Sequence, residues 1–298
     1  MKPKSPARPK ARYPLWFLAL PVIVYGALYF LPSLFSFYYS MTDWNGFTDK
    51  INFVGFDNFR TVFFESKNYL RALKNTIMFA TSTTILKNVI GLWLALMVNS
   101  DIKSKNYLRT VFYLPVTLSP LIVGLIFSSV LHPSYGVLNV ILRAIGLNGV
   151  AHSWLVDPKT AMASVIAVDV WKNVGFNMII YIAGLQTIPK TYYEAAKIDG
   201  GSSFTILWNI TLPLLMPSVS INLILNLING FKVFDIVYIL TRGGPGNLTE
   251  VLNTAVFFEF SSGRYGLSTA FGVVLLLIIA VVALLSMKIL THKTEVLE

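Results

Sequence analysis

Six long apolar stretches divide this chain of 298 residues, and they constrain its fold more than any other feature. Each has close to the roughly 20 residues that a helix needs to cross the hydrocarbon core of a bilayer. The alternating segments of about ten residues that would build a membrane β-barrel do not occur in the sequence. The pattern therefore predicts an all-α, polytopic membrane helix bundle. Its six predicted transmembrane helices lie at residues 15–37, 76–98, 111–131, 161–185, 217–240 and 267–289.

The composition also favours a membrane protein. Hydrophobic residues make up 55% of the chain and charged residues only 13%, too few charges for the solvated surface of a soluble protein of this length. The absence of cysteine excludes disulfides, thiol catalysis and cysteine-based metal sites. The three histidines lie far apart, so we expect no metal site. The net charge of +10 does not indicate a nucleic-acid partner, because the basic N-terminal tail adjoins an apolar span and is typical of a topology signal near anionic lipid.

The placement of lysine and arginine predicts the orientation. Six spans put both termini on one side. The short segments on that side, together with Lys288 at the end of the last span, hold twelve of the 24 Lys and Arg residues; the longer loops on the other side hold nine, and three lie within the other spans. By the positive-inside rule, the side with the termini is cytoplasmic. The sequence thus predicts a multi-pass protein of the inner membrane. A single transmembrane domain at 14–290 would lie between cytoplasmic tails at 1–13 and 291–298.

A polar segment at 188–212, on the predicted cytoplasmic side, has the signals of two short helices. Thr191 and Glu194 have the spacing of a capping box, which would start the first helix. Gly200 lies where a helix end favours a positive φ angle, and Ser202 can cap the second helix. The segment is therefore predicted to be a helical hairpin with a glycine corner.

This hairpin closely resembles the EAA loop of the membrane subunits of bacterial ATP-binding cassette (ABC) importers. The matching residues are Glu194, Ala195, Ala196, Asp199, Gly200, Leu212 and Pro213. In that family the loop is a cytoplasmic coupling helix that docks in a cleft of the ATPase subunit. The resemblance implies that the residues from Glu194 to Gly200 couple ATP hydrolysis to transport. Gly201 departs from the family, which usually has alanine after the Asp-Gly pair, and this change would loosen the corner.

The resemblance covers nearly the whole chain. Further matching segments, similar to the permeases of sugar importers and in particular to the maltose and glycerol-phosphate type, lie at 52–59, 75–76, 109–120, 171–189 and 240–249. Such a permease pairs with a second, homologous permease subunit and with two ATP-binding cassette subunits, which would carry the ATP and Mg. The resemblance also implies that an extracytoplasmic solute-binding protein docks on the loops at 40–75, 132–160 and 241–266.

The predicted function is that of a permease subunit, which passes a sugar or sugar-like solute to the cytoplasm by alternating access and is not itself an enzyme. The sequence has no G-x-x-x-x-G-K-[ST] phosphate loop, so the chain should not hydrolyse ATP by the usual route. An alternative is a secondary transporter, driven by ions through Asp169, Lys172, Lys232 or Asp235. A membrane-embedded enzyme is disfavoured, because no pair of nucleophile and base stands out.

Polar residues at membrane depth predict the solute path, because such residues should face a protein interior or a water-filled cavity. In the fifth span Asn222 and the residues that follow it at three- and four-residue spacings lie along one helix face, and Asp235 could pair with Lys232. In the fourth span Asp169 could pair with Lys172 or Asn173. The residues predicted to line the path are Trp171, Asn173, Asn177, Asn226, Asn229 and Lys232.

Two questions stay open at this point. The asparagines could instead hydrogen-bond between helices as packing contacts, and Lys87 in the second span is better explained by an ion pair or by snorkelling than by transport. The amides suit a neutral oligosaccharide, whereas Lys172 or Lys232 could meet the carboxylate of a sugar acid or a phosphate. The sequence does not decide between these solutes.

Overall fold

The computed structural model describes residues 16–100 and 103–295, so the predicted tail at 1–13 lies outside the described residues. Within the described part, four continuous helices are long and apolar enough to cross a membrane. Two bent helix pairs raise this number to six if each pair is counted as one span. The predicted all-α membrane bundle is confirmed.

The helices are numbered in chain order. They are α1 (Trp16–Tyr25), α2 (Leu31–Tyr39), α3 (Asp57–Arg60), α4 (Lys67–Asn99), α5 (Lys105–Thr117), α6 (Pro120–Val130), α7 (Val137–Ala144), α8 (Ala161–Thr187), α9 (Lys190–Ile198), α10 (Ser203–Ile206), α11 (Leu212–Leu214), α12 (Met216–Phe231), α13 (Asp235–Thr241), α14 (Leu252–Ser261) and α15 (Tyr265–Glu295). Single π-helical turns at Gly26–Phe30, Thr61–Glu65 and Leu207–Thr211 extend or join some of them.

The third predicted span is broken rather than straight. Its two halves, α5 and α6, meet at an angle of 98°. Leu118 and Ser119 have extended backbones, and Pro120 begins α6. The residue before a proline is disfavoured in the helical conformation, and Ser119 caps the new helix by accepting a hydrogen bond from the Leu121 N–H at 3.3 Å. A single helix at 111–131 is therefore wrong.

The fifth span also differs from the prediction. A bend of 68° separates the segment Ser203–Leu214 from α12. The span does not continue to residue 240, because α12 ends at Phe231 and α13 begins a separate helix at Asp235. Asp235 lies in the first turn of α13, where the helix dipole favours a carboxylate.

Helix α8 lies at the centre of the bundle and contacts α4, α5, α12 and α13. In its most apolar 18-residue window 61% of the residues are buried, whereas no residue of the corresponding window of the first span is buried. Two hydrophobic clusters pack around α8, one built on Val165 and Val168 and the other on Met178 and Tyr181. Because α8 is the most buried of the long helices, it forms the centre of the bundle. The first span lies at the outside, and the other described residues bury none of its apolar window.

Gly175 sets the distance between α8 and α5. A Cβ atom at this position would lie 2.1 Å from the carbonyl oxygen of Phe112, a backbone atom that cannot rotate away. We therefore expect Gly175→Ala to destabilise the protein by about 2 kcal/mol, as overpacking does in a tight core. Thermal unfolding in detergent, followed by tryptophan fluorescence, measures the change. Gly272→Ala in α15 is the matched control, because a Cβ there meets no atom within 4 Å; equal losses in both variants would contradict the prediction.

The loops at the predicted extracytoplasmic end are joined by hydrogen bonds. Gly46 donates its N–H to the carbonyl of Gly263, and Asn75 donates through Nδ2 to the carbonyls of Leu248 and Glu250 at 3.0 and 2.9 Å. In the segment between α6 and α8, the Asn139 side chain donates hydrogen bonds to backbone carbonyls that precede and follow it in the sequence. These contacts make the loops a folded layer.

Glu250 is a buried acid within this layer. Burial, together with the nearby Glu259 carboxylate, raises its pKa from 4.5 to about 7 against the opposing effect of Arg71. Because the folded-state pKa lies above the unfolded value, the folded protein loses stability as the pH rises from about 4.5 to 7. We expect Glu250→Gln to raise the unfolding temperature at pH 8 by about 2–4 °C and to lose this advantage near pH 4.5. Asp49→Asn, at an exposed site, is the control; a gain that does not depend on pH would contradict the prediction.

Candidate coupling hairpin and solute cavity

The first helix of the hairpin is α9, and it begins differently from the prediction. Pro189 is its N-terminal cap, with an extended backbone (φ −59°, ψ 135°) and no side-chain hydrogen bond to the helix. Because α9 begins at Lys190, Thr191 is already inside the first turn. The predicted capping box of Thr191 and Glu194 is therefore wrong.

The corner after α9 is a Schellman motif, in which a left-handed residue closes the helix end with two backbone hydrogen bonds. Gly200 has φ +77°, its N–H bonds the Lys197 carbonyl, and the Gly201 N–H bonds the Ala196 carbonyl at 2.8 Å. Ser202 then caps α10 by accepting a hydrogen bond from the Thr205 N–H at 3.2 Å. The predicted glycine corner is confirmed, with Gly200 as the residue of positive φ.

Much of the hairpin surface has no partner among the residues that the structure describes. Glu194 and Asp199 are exposed, and the Glu194 side chain makes no hydrogen bond or ion pair to the residues that the structure describes. Ala195 is exposed and Ala196 is half-buried. The large apolar side chains are also uncovered, with exposed fractions of 86% for Ile198, 69% for Phe204 and 56% for Trp208. Exposed apolar side chains of this size are typical of a surface that binds another protein or the membrane.

A polar cavity of about 470 Å³ lies against the middle of α8 and the C-terminal end of α12. The helices α4, α5, α6 and α13 also contribute to it, as does the turn between α12 and α13. Its polar lining residues are Lys87, Asp169, Lys172, Asn173, Asn177, Asn226, Asn229, Lys232 and Asp235. The structure thus brings five of the six predicted path residues together.

The sixth, Trp171, lies elsewhere. It is 44% exposed and packs edge-to-face on Phe127, with ring centroids 5.0 Å apart, at a separate apolar cavity. One residue along an α-helix is a rotation of about 100°, so Trp171 and Lys172 face different surroundings. The expectation that Trp171 lines the same polar path is therefore not met.

The buried asparagines join α8 to α12. Asn226 donates through Nδ2 to the Asn177 Oδ1 atom at 2.5 Å, and Asn222 donates to the Asn177 carbonyl at 3.3 Å. Asn177 and Asn222 have no exposed surface. These amides act chiefly as contacts between helices, as the packing alternative predicts, while Asn229 is exposed at the cavity.

The charges pair in a way that sequence spacing does not predict. Asp169 binds Lys87 of α4, with Nζ 2.7 Å from Oδ2, and accepts a hydrogen bond from Asn173 at 2.9 Å. The proposed pairs of Asp169 with Lys172, and of Lys232 with Asp235, do not form among the described residues. Lys87 therefore joins the candidate site, and its position at the middle of an apolar span was the signal for a buried partner.

These features define the chain as a polytopic helical permease, with a charged cavity within the membrane bundle and an exposed helical hairpin. Residues 87–296 match the family described as "Binding-protein-dependent transport system inner membrane component", and the chain belongs to this family. The predicted relationship is thereby confirmed, as is the prediction of an inner-membrane transport subunit.

Known proteins resemble it over almost their full length. The multiple sugar-binding transport system permease protein MsmF of Streptococcus mutans is 34% identical over 94% of this chain and 95% of its own. The trehalose/maltose transport system permease protein MalF of Thermococcus litoralis is 32% identical over 87% of each chain. A chain in the crystal structure of a bacterial ABC transporter that imports the acidic polysaccharide alginate has a TM-score of 0.80 and 27% identity, over 93% of this chain and 95% of that one.

Proposed function

We propose that this chain is one of two homologous permease subunits of an ATP-driven importer in a bacterial or archaeal cytoplasmic membrane, with both termini in the cytoplasm. It receives a sugar or sugar-like solute from an extracytoplasmic binding protein and passes it inward by alternating access. Two ATP-binding cassette subunits bind its hairpin and supply the energy, with ATP and Mg bound to them rather than to this chain.

One observation carries the proposal. The two helices that flank the hairpin are the two that contribute most of the asparagines of the cavity. Helix α8 runs without a break from Asp169, at the cavity, to Thr187, and α9 begins at Lys190. Helix α12 follows the hairpin at Met216 and reaches the cavity with Asn226 and Asn229. A displacement of the hairpin would move the adjoining ends of α8 and α12, and both helices extend to the lining of the cavity.

Other observations support the partners. Glu194 and Ile198 on the hairpin are exposed, and the first span has no buried residue in its apolar window. An uncovered hairpin suits an ATPase subunit, and an uncovered span suits a second permease subunit. The relatives are named for transport of sugars or of glycerol 3-phosphate, and the alginate transporter was also crystallised with a periplasmic protein that carries an alginate pentasaccharide.

Co-purification and reconstitution test the proposal. A tagged chain should bring down a second permease and an ATP-binding subunit, and proteoliposomes of this complex should take up solute from the binding protein only when they contain ATP and Mg. The buried Lys87–Asp169 pair also suits ion-coupled transport, because it places a titratable pair at the cavity. Uptake that ionophores abolish and ATP does not affect would favour that alternative and contradict our proposal.

A further inference from the structure

The cavity carries an excess of positive charge. Its lining includes three lysines and two aspartates: Lys87, Lys172, Lys232, Asp169 and Asp235. Three positive and two negative charges leave a net charge of +1. The positions and partners of these groups show which cation is left without compensation.

Lys87 and Asp169 compensate each other. Their charged atoms are 2.7 Å apart, and the two side chains are only 4% and 12% exposed. The second oxygen of Asp169 accepts the hydrogen bond from Asn173 at 2.9 Å. Both carboxylate oxygens are thus occupied, and this pair offers neither a free anion nor a free cation to the cavity.

Lys172 has no such partner. It is 9% exposed, and its ammonium group makes one long contact, 3.5 Å to the carbonyl oxygen of Val116 near the break between α5 and α6. No acidic side chain among the described residues lies within ion-pair distance of it. A buried charge without a counterion is strongly unfavourable, so a group that enters the cavity is expected to supply one.

The remaining two charges do not alter this balance. Lys232 and Asp235 are both exposed at the mouth of the cavity, and neither forms an ion pair with the residues that the structure describes. Their opposite charges cancel in sum. Among the lysines of the cavity, Lys172 is thus the buried one that has no ion-pair partner among the described residues.

We infer that Lys172 selects solutes that carry an acidic group, a carboxylate or a phosphate, over neutral sugars. This inference rests on the proposed function and specifies its solute class. The acidic group binds the Lys172 ammonium by a charge-assisted hydrogen bond. The Asn173 Oδ1 atom and the Asn229 amide make no hydrogen bond to the described residues and can meet hydroxyl groups. Lys172 is then the residue that determines specificity within the cavity.

Uptake by the assembled importer with its binding protein, in ATP-loaded proteoliposomes, tests the solute class. The probes are radiolabelled trigalacturonate, glycerol 3-phosphate and the neutral maltotriose. Uptake of either acidic probe should exceed that of maltotriose at least tenfold, and the two acidic probes distinguish a carboxylate from a phosphate. ATP-driven uptake of maltotriose alone would overturn the inference and leave the proposed function intact. No ATP-driven uptake of any probe would contradict the proposed function, and this inference with it.

Variants of Lys172 test the residue. We expect K172Q to raise the KM for the acidic probe by about 10- to 100-fold, the effect of losing a hydrogen bond to a charged group, and K172R to restore most of the affinity. K74Q, at an exposed site on α4, is the matched control. Basal ATP hydrolysis measures how much of the importer has assembled. The ratio of acidic-probe to maltotriose uptake does not depend on that amount, so variants can be compared. An unchanged KM and ratio in K172Q would overturn the role of Lys172.

Discussion

Reversal of the charge at Glu194, by Glu194→Lys, is expected to reduce solute uptake at least tenfold while ATP hydrolysis by the complex continues. The carboxylate makes no hydrogen bond within the described chain, so its loss should change the stability of the subunit by less than about 0.5 kcal/mol. A lysine at the surface proposed to bind the ATPase subunit would instead place a like or unpaired charge in that interface. Uptake and ATP hydrolysis, measured together in proteoliposomes, give the coupling ratio.

Gly200→Asp should also reduce uptake while ATP hydrolysis continues, because it changes the backbone of the corner. Gly200 has φ +77°, and a residue with a Cβ atom is disfavoured there by about 1–2 kcal/mol. A Cβ at this position meets no atom within 4 Å, so the change affects the shape of the corner rather than the packing. Asp49→Lys, an exposed charge reversal in the loop after α2, is the control. Normal uptake per ATP in both hairpin variants would exclude the hairpin as the coupling element.

The largest expected effect on stability is that of Asp169→Asn. The change leaves the ammonium of Lys87 buried without its counterion, which costs about 3–5 kcal/mol when a buried pair is broken on one side. The double variant Lys87→Met with Asp169→Asn removes both charges and should recover most of this loss. Unfolding of purified protein in detergent provides the free energies of a double-mutant cycle.

One result of this double-mutant cycle would contradict the prediction. If the two single changes add within about 0.5 kcal/mol, the residues do not interact and the ion pair is not part of the working structure. Lys67→Met, at an exposed site at the start of the same helix, is the control for loss of a lysine. It should change neither the stability nor the effect of Asp169→Asn.

The positions of the spans and the glycine corner could be predicted because both depend on local sequence. An apolar run of about 20 residues has few alternatives in a membrane, and Gly200 is suited to a backbone conformation that other residues avoid. The breaks in the third and fifth spans were missed although Pro120 and Pro217 stand beside them. Hydropathy does not distinguish a straight span from a bent one, since both bury the same apolar residues.

The partners in the cavity could not be predicted in this way. Sequence spacing offers Asp169 only the neighbours within one or two turns, Lys172 and Asn173, whereas its ion-pair partner is Lys87 on another helix. Trp171 was grouped with the polar residues because it adjoins them in sequence, and the rotation of one residue separates it from the cavity. The asparagine face was recognised correctly, but which of its members face each other depends on how α12 lies against α8.

The Lys87–Asp169 pair also imposes an order on biosynthesis. The lysine emerges from the ribosome 82 residues before its counterion (169 − 87 = 82), a delay of roughly 4–16 s at ordinary rates of translation. A second span that entered the lipid alone during this interval would carry a charge that costs about 3 kcal/mol at the centre of a helix. We therefore expect the insertion machinery to release the second and the fourth span together.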